Sequence, residues 1–207
     1  MLQIYSPNML KTFKQCPRKF FYRYIKNINM PVNDEIFELG KNIHALASYY
    51  LNKENIYKME QALSEKEQAI WAYLKNIKYF AFETINTEYS LSINIENIIF
   101  GGRIDALLKD NETYYILDYK TGSIPKDAKY DYQTMIYLLA VSDFFKTEKV
   151  VFVYIDLKNK EEVKIELSTS LINEYKEFLT QTVEQIKNSE FNKKNKDCDC
   201  EYNIICY

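Results

Sequence analysis

Asp105, Asp118 and Lys120 are the residues whose types and spacing most directly suggest chemistry. They lie in "GGRIDALL" (101–108) and "YYILDYKTG" (114–122). Read as strands, successive side chains point to opposite faces. Ile116, Asp118 and Lys120 then share one face, and Tyr115, Leu117 and Tyr119 the other. The turn "KDNET" between the two stretches reads as a hairpin. Any even-membered loop puts Asp105 and Asp118 on one face. A four-residue loop at 110–113 sets them directly opposite, with Cβ atoms about 5 Å apart. Carboxylates that close repel unless a cation lies between them or one is protonated. Oxygen ligands at this spacing suit a hard divalent cation such as Mg2+, with the Lys120 ammonium beside it. A surface hairpin with a solvated Asp118–Lys120 pair explains the same residues without chemistry. His44, the only histidine, sits near an apolar helix face. Taken alone it reads as a buried structural histidine.

Regular elements must position these groups. Ser6-Pro7 reads as an N-cap followed by proline at the first helical position, and Pro17 interrupts or restarts that helix. A second helix runs from Asp34 to Leu51 and carries His44. Ser64-Glu65-Lys66-Glu67 is a capping box opening a third helix that ends near Phe82. "TEYSLSINI", "IIFGGRIDALL" and "TYYILDYK" read as three strands. "AKYDYQTMIYLLAVSDFF" reads as a strongly periodic helix holding Gln133 and Tyr137. "KVVFVYIDL" and "EEVKIEL" form a second strand pair, and "LINEYKEFLTQTVEQIKNS" an amphipathic helix. The order predicts a mixed α/β domain over 1–207, with a basic helical segment at 1–33 and a cysteine-rich tail at 190–207.

Composition is that of an ordinary globular protein: 207 residues, 47 % hydrophobic, 27 % charged, net charge −2. No run approaches the roughly 20 apolar residues of a membrane span, and no signal-peptide pattern opens the chain, so a cytoplasmic protein is expected. The net charge excludes a polycation, but charge is unevenly spread. Residues 1–33 contain no acid, and they carry Lys11, Lys14, Arg18, Lys19 and Arg23 among aromatics. That pattern suits a nucleic-acid backbone, or an amphipathic helix with a solvated face. Cys16 lies near one end, and Cys198, Cys200 and Cys206 near the other. Four thiols are the number for one Zn2+ or one [4Fe–4S] cluster, and they also read as unrelated thiols.

These motifs, in this order, resemble the PD-(D/E)XK nucleases, most closely the RecB/AddB-type nuclease domains and the stand-alone CRISPR-associated Cas4 nucleases. "CPRKF", "LGKNIHALA", "TEYSLSI", "GGRIDALL", "YYILDYKTG" and "YDYQTMIYLLA" are each similar to a family segment, as is the cysteine tail. Asp118 stands where many members have Glu. The tail reads C-x-C-x5-C where C-x2-C-x5-C is usual. The resemblance implies a restriction-endonuclease-like core, a central mixed sheet flanked by helices. It implies Mg2+ or Mn2+ on His44, Asp105, Asp118 and the Tyr119 carbonyl, with Lys120, Gln133 and Tyr137 completing the catalytic set and Glu88 a weaker outer contact. It favours [4Fe–4S] over Zn2+ on the four cysteines. It implies an exonuclease on single strands or DNA ends, in repair, phage DNA processing or CRISPR adaptation, with a helicase or Cas1-type protein as partner. A non-catalytic DNA-binding or assembly subunit with the same fold is the alternative.

Overall fold

The computed structural model describes residues 4–30, 35–192 and 200–206. Six strands form one mixed sheet: β1 (Ile4–Tyr5), β2 (Glu83–Ile95), β3 (Ile98–Asp110), β4 (Thr113–Lys120), β5 (Val150–Asp156) and β6 (Glu161–Glu166). The helices are α1 (Pro7–Gln15), α2 (Pro17–Phe20), α3 (Glu35–Leu51), α4 (Tyr57–Gln61), α5 (Glu65–Leu74), α6 (Tyr132–Phe145) and α7 (Thr169–Lys187).

The order across the sheet is β1–β3–β4–β5–β6, with β2 along the other edge of β3. β4 and β5 are parallel, joined by the α6 crossover. β2 follows β3 almost end to end. The second edge of β3 is shared. β1 takes Ile99 and Phe100, and β4 takes residues from Ala106 to Asp110. Between them, residues 101–105 carry no strand partner on that edge. The opening in the sheet is where Asp105 sits.

Both faces of the sheet are covered. On one face Leu107, Ile116, Phe152 and Tyr154 pack with residues of α1, α6 and α7. On the other Ala106, Leu108, Leu117, Tyr119, Val153 and Ile155 pack with α3 and α5. This accounts for the composition of β4. Its two faces serve two cores, and the charges stand at the end of one of them. α6 is not the amphipathic helix that its periodicity predicts. Tyr132 and every residue from Thr134 to Val141 are buried, because the helix lies inside the α/β layer.

Local signals explain most boundaries. Ser6 accepts from the Met9 amide with Pro7 at the first helical position. Cys16 ends α1 and its sulfur caps α2. Both halves of the Ser64–Glu67 capping box are present. The helix it opens stops at Leu74 rather than near Phe82. There Asn76 turns its side-chain amide onto the Ala72 carbonyl (2.7 Å), and a 3-10 turn at Lys78–Ala81 follows. The β3–β4 loop is the pair Asn111-Glu112, not 110–113. Asp110 still pairs with Thr113, and Asn111 takes the left-handed conformation (φ 53°). β2 starts at Glu83, earlier than the alternating segment suggests, with a bulge between Thr84 and Asn86.

One close approach secures the opening. A Cβ on Gly102 would lie 2.5 Å from the Tyr137 hydroxyl, which donates to the Arg103 carbonyl at 2.9 Å. Gly102→Ala is therefore expected to cost about 1–3 kcal/mol by overpacking, read by chemical denaturation. The cost should shrink in a Tyr137→Phe background, where the clashing oxygen is gone. An equal cost in both backgrounds would contradict the contact.

Candidate active site

The carboxylates come from three adjacent strands at one level. Thr87 pairs with Ala106 and Tyr89 with Ile104, so Glu88 faces Asp105. Ala106 pairs with Leu117, the last rung of the ladder, and one further step in the same register would set Asp105 opposite Asp118. The expected register holds, although the loop is shorter, because both loops are centred on the same point. Beyond Leu117 the two strands part. The Asp105 carboxylate enters the opening and accepts the Tyr119 amide through Oδ2 at 2.9 Å.

His44 reaches the opening from α3. Its Nε2 lies 3.0 Å from the Tyr119 carbonyl and its Nδ1 3.3 Å from Asp105 Oδ1. Both ring nitrogens face acceptors, which suits the doubly protonated ring. Burial lowers the His44 pKa, but the hydrogen bond and charge of Asp105, the charge of Asp118 and the Tyr119 carbonyl together raise it above the ordinary histidine value.

Asp118 is 3 % exposed. Burial is the main force lifting its pKa to about 7, and the Asp105 charge adds to it, against the opposing pull of Lys120 and His44. Lys120 Nζ lies 2.7 Å from Asp118 Oδ2. That approach is a charge-assisted contact that opposes the rise in the Asp118 pKa. Gln133 closes the group. Its Nε2 donates to Asp118 Oδ1, and its Oε1 accepts from Lys120 Nζ at 3.1 Å. The Tyr154 ring flanks the ammonium, 5.6 Å from its centroid. Gln133 is fixed by Asp131, which caps α6 by accepting its amide at 3.0 Å. The Tyr137 hydroxyl is turned to β3 rather than to Lys120. It is held on the Arg103 carbonyl, where it supports β3.

Glu88, a weaker outer contact by resemblance, stands with His44 and Asp105 in one candidate ligand group. Ligand atoms of His44, Glu88 and Asp105 lie within 4.8 Å of one another. Glu88 has φ 49°, a left-handed conformation that is costly for a non-glycine residue. Arg103 holds its Oε2 through Nε at 3.0 Å. Two carboxylates and an imidazole at this separation fit a hard divalent cation, with the Tyr119 carbonyl adjacent. Asp118 stands beside this trio, engaged by Lys120 and Gln133.

The N-terminal cations are paired inside the molecule. Lys11 binds Asp131 (2.8 Å), Lys14 binds Gln185 (2.9 Å), and Arg18 donates to the Tyr22 hydroxyl (3.2 Å). Lys19 and Arg23 meet Glu201 at 2.9 and 3.9 Å. These last pairs dock the tail on the Cys16 segment, together with a Tyr22–Tyr202 stack and a Tyr22 hydroxyl bond to the Ile205 carbonyl. Cys16, Cys200 and Cys206 are not in disulfides, and Cys16 is buried. Cys198 lies outside the described residues. Arg103, Asp131 and Tyr154 escaped the sequence reading. Asp131 had a usable signal, a capping residue type directly before a long apolar helix.

A model of the PD-(D/E)XK nuclease superfamily matches residues 4–207. The chain belongs to this superfamily. A CRISPR-associated exonuclease Cas4 from Francisella tularensis subsp. novicida (strain U112) is 22 % identical over 205 residues, covering 96 % of this chain and 91 % of that one. Among solved structures, a candidate exonuclease from Eubacterium rectale shares the fold with a TM-score of 0.60 at 12 % identity, covering 95 % of this chain and 86 % of that one. No helix among the described residues is long and apolar enough to cross a membrane.

The electrostatics predict an unusual pH response. Asp118 is raised from 3.8 to about 7, so its ionisation costs stability as pH rises across that interval. His44, also raised, adds stability that is lost as pH rises above 6.5. Above about pH 5 ordinary carboxylates are already ionised. The metal-free protein should therefore lose roughly 2–4 kcal/mol between pH 5 and 8, seen as a falling Tm. Asp118→Asn should flatten the fall. Parallel curves for the two proteins would refute the assignment.

Proposed function

We propose that this protein is a Mg2+- or Mn2+-dependent deoxyribonuclease, an exonuclease acting on single strands or DNA ends within one nuclease domain spanning 1–207. The observation that carries the reading is the Asp118–Lys120–Gln133 group beside the His44–Glu88–Asp105 trio. The kinship with a protein named as a Cas4 exonuclease supports the exonuclease assignment.

His44, Asp105, Asp118 and the Tyr119 carbonyl would hold the cation, with Glu88 joining them. When bound, the cation supplies charge for the scissile phosphate and acidifies water. The chain's own groups do the rest. Asp105 is aligned by the Tyr119 amide, and His44 yields its proton to become a ligand. The Lys120 ammonium, steadied by Gln133, orients the attacking water and faces the negative charge that develops on the phosphate. Tyr137 keeps β3 open at the site.

Lys11, Lys14, Arg18, Lys19 and Arg23 are assigned to flanking nucleic acid, as a secondary contact because each already has a partner within the chain. Cys16, Cys198, Cys200 and Cys206 are assigned to a [4Fe–4S] cluster in preference to Zn2+, and its role is to staple the tail to the first helices. The docking of residues 200–206 on the Cys16 segment supports that role. The setting is cytoplasmic DNA repair, phage DNA processing or CRISPR adaptation, with a helicase or Cas1-type protein as partner.

The test is cleavage of end-labelled single- and double-stranded DNA by anaerobically purified protein with Mg2+, Mn2+ or EDTA. Metal-dependent cutting is expected, lost by at least a hundredfold in Lys120→Ala, a size consistent with removing one transition-state donor. The preparation should be brown and lose its colour in Cys200→Ser. Full cutting by Lys120→Ala would overturn the site. No cutting at all by a folded protein would favour a binding or assembly subunit.

A further inference from the structure

The cations that the sequence marked for nucleic acid are engaged elsewhere, but another set is available. A groove of about 310 Å3 lies beside the end of β4. Leu39, Ile70 and Leu157 give it an apolar lining. Lys66, Lys158 and Lys160 stand around it, and no carboxylate is among its described lining residues. All three lysines are exposed, and none has an ion-pair partner among the described residues. Lys160 lies 5.9 Å from the Tyr73 ring centroid. Lys158 acts on Asp156 through its charge, yet Asp156 spends its oxygens on the turn itself. It accepts the Lys158 and Asn159 amides at 2.9 and 2.8 Å, and the Asn159 side chain at 2.9 Å. The turn bearing two of the lysines is thus braced, with Lys160 left-handed at φ 57°.

The groove adjoins the ends of the elements that carry the candidate site. Thr121, which lines it, directly follows Lys120. Leu39 and Gly40 precede His44 on α3 by five and four residues, about 6–7.5 Å along the helix. A Cβ on Gly40 would lie 3.4 Å from Thr121 Oγ1, so α3 and the end of β4 meet closely there. A larger cavity of about 1180 Å3 lies around Tyr50–Tyr57 and Phe80–Asn86. Its lining sets Glu54, Glu60 and Glu83 against Lys53 and Lys75, the latter already paired with Glu60, so its charge is net negative. That mixed lining is a poorer seat for a phosphate backbone than the lysine groove, which has no carboxylate among its described lining residues.

We propose that the lysine groove seats the DNA strand next to the scissile nucleotide. Lys66, Lys158 and Lys160 neutralise its phosphates, and Leu39, Ile70 and Leu157 receive a base or sugar. Charged rims over apolar contact surface are how single strands are held without sequence preference. The inference rests on the nuclease reading above.

The test uses the full chain and a Lys66→Ala/Lys158→Ala/Lys160→Ala variant, with equal Tm confirmed first. Binding of a fluorescein-labelled oligothymidylate is followed in EDTA at several salt concentrations, and cleavage kinetics are measured with Mn2+. For single strands each phosphate contact contributes about 0.7 to the slope of log K against log salt. The variant should lose about 2 from that slope, and its KM should rise roughly tenfold or more with kcat within about twofold. The three Lys→Arg changes should preserve both. An unchanged slope and KM in the variant, while the unaltered protein binds and cuts, would overturn the groove and leave the nuclease standing. Failure of the unaltered protein to bind or cut DNA would overturn both.

Discussion

A carboxylate buried to 3 % exposure and facing a second carboxylate cannot carry its charge unaided. The Asp118 side chain imposes that constraint, and the surrounding elements answer it. β4 carries Lys120 two residues on, α6 brings Gln133, and α3 brings His44 to the neighbouring Asp105. Without added metal the compensation comes from an ammonium, an amide and a protonated imidazole. On the proposed reading a divalent cation would offer a denser charge at the same place, and His44 would then give up a proton to become one of its ligands. On that reading one electrostatic requirement connects metal affinity, pH dependence and the arrangement of the site residues.

The fold creates the room for this. A continuous β3–β4 ladder would have used the Tyr119 amide for strand pairing. Instead β1 and β4 divide the edge of β3 and leave 101–105 open. The Asp105 carboxylate and the Tyr137 hydroxyl then fill hydrogen-bonding positions that a neighbouring strand would have filled. Gly102 allows the Tyr137 ring close to the strand. Two cores, one on each face, keep the parted strands from collapsing together.

Legibility in the sequence followed the range of the interactions. The Asp105–Asp118 register was readable because strand alternation has period 2 and the loop is symmetric about one point, so two or four loop residues give the same pairing. Caps at Ser6 and Ser64 were readable because they act within three residues. The standing of Glu88 was not, since it depends on β2 lying abreast of β3 and on a left-handed backbone. Nor were the partners of the basic segment. Lys19 and Arg23 meet Glu201 from the far end of the chain, and Lys11 meets the residue that caps α6. Composition displays such cations as available when the fold has already paired them. The lysines of the groove are the reverse case, scattered over α5 and the β5–β6 turn and gathered only by folding.

The central claim is that the Glu88–Asp105–Asp118 level, with His44, is a divalent-cation site in exchange with protons. Calorimetric titration of Mn2+ into the metal-free protein, in two buffers of different ionisation enthalpy, tests it most directly. The account predicts saturable binding that releases protons near pH 6.5, and loss of that binding in Asp105→Asn. It predicts a smaller proton release in His44→Ala. Saturable binding that releases no proton, or that survives Asp105→Asn unchanged, would contradict it.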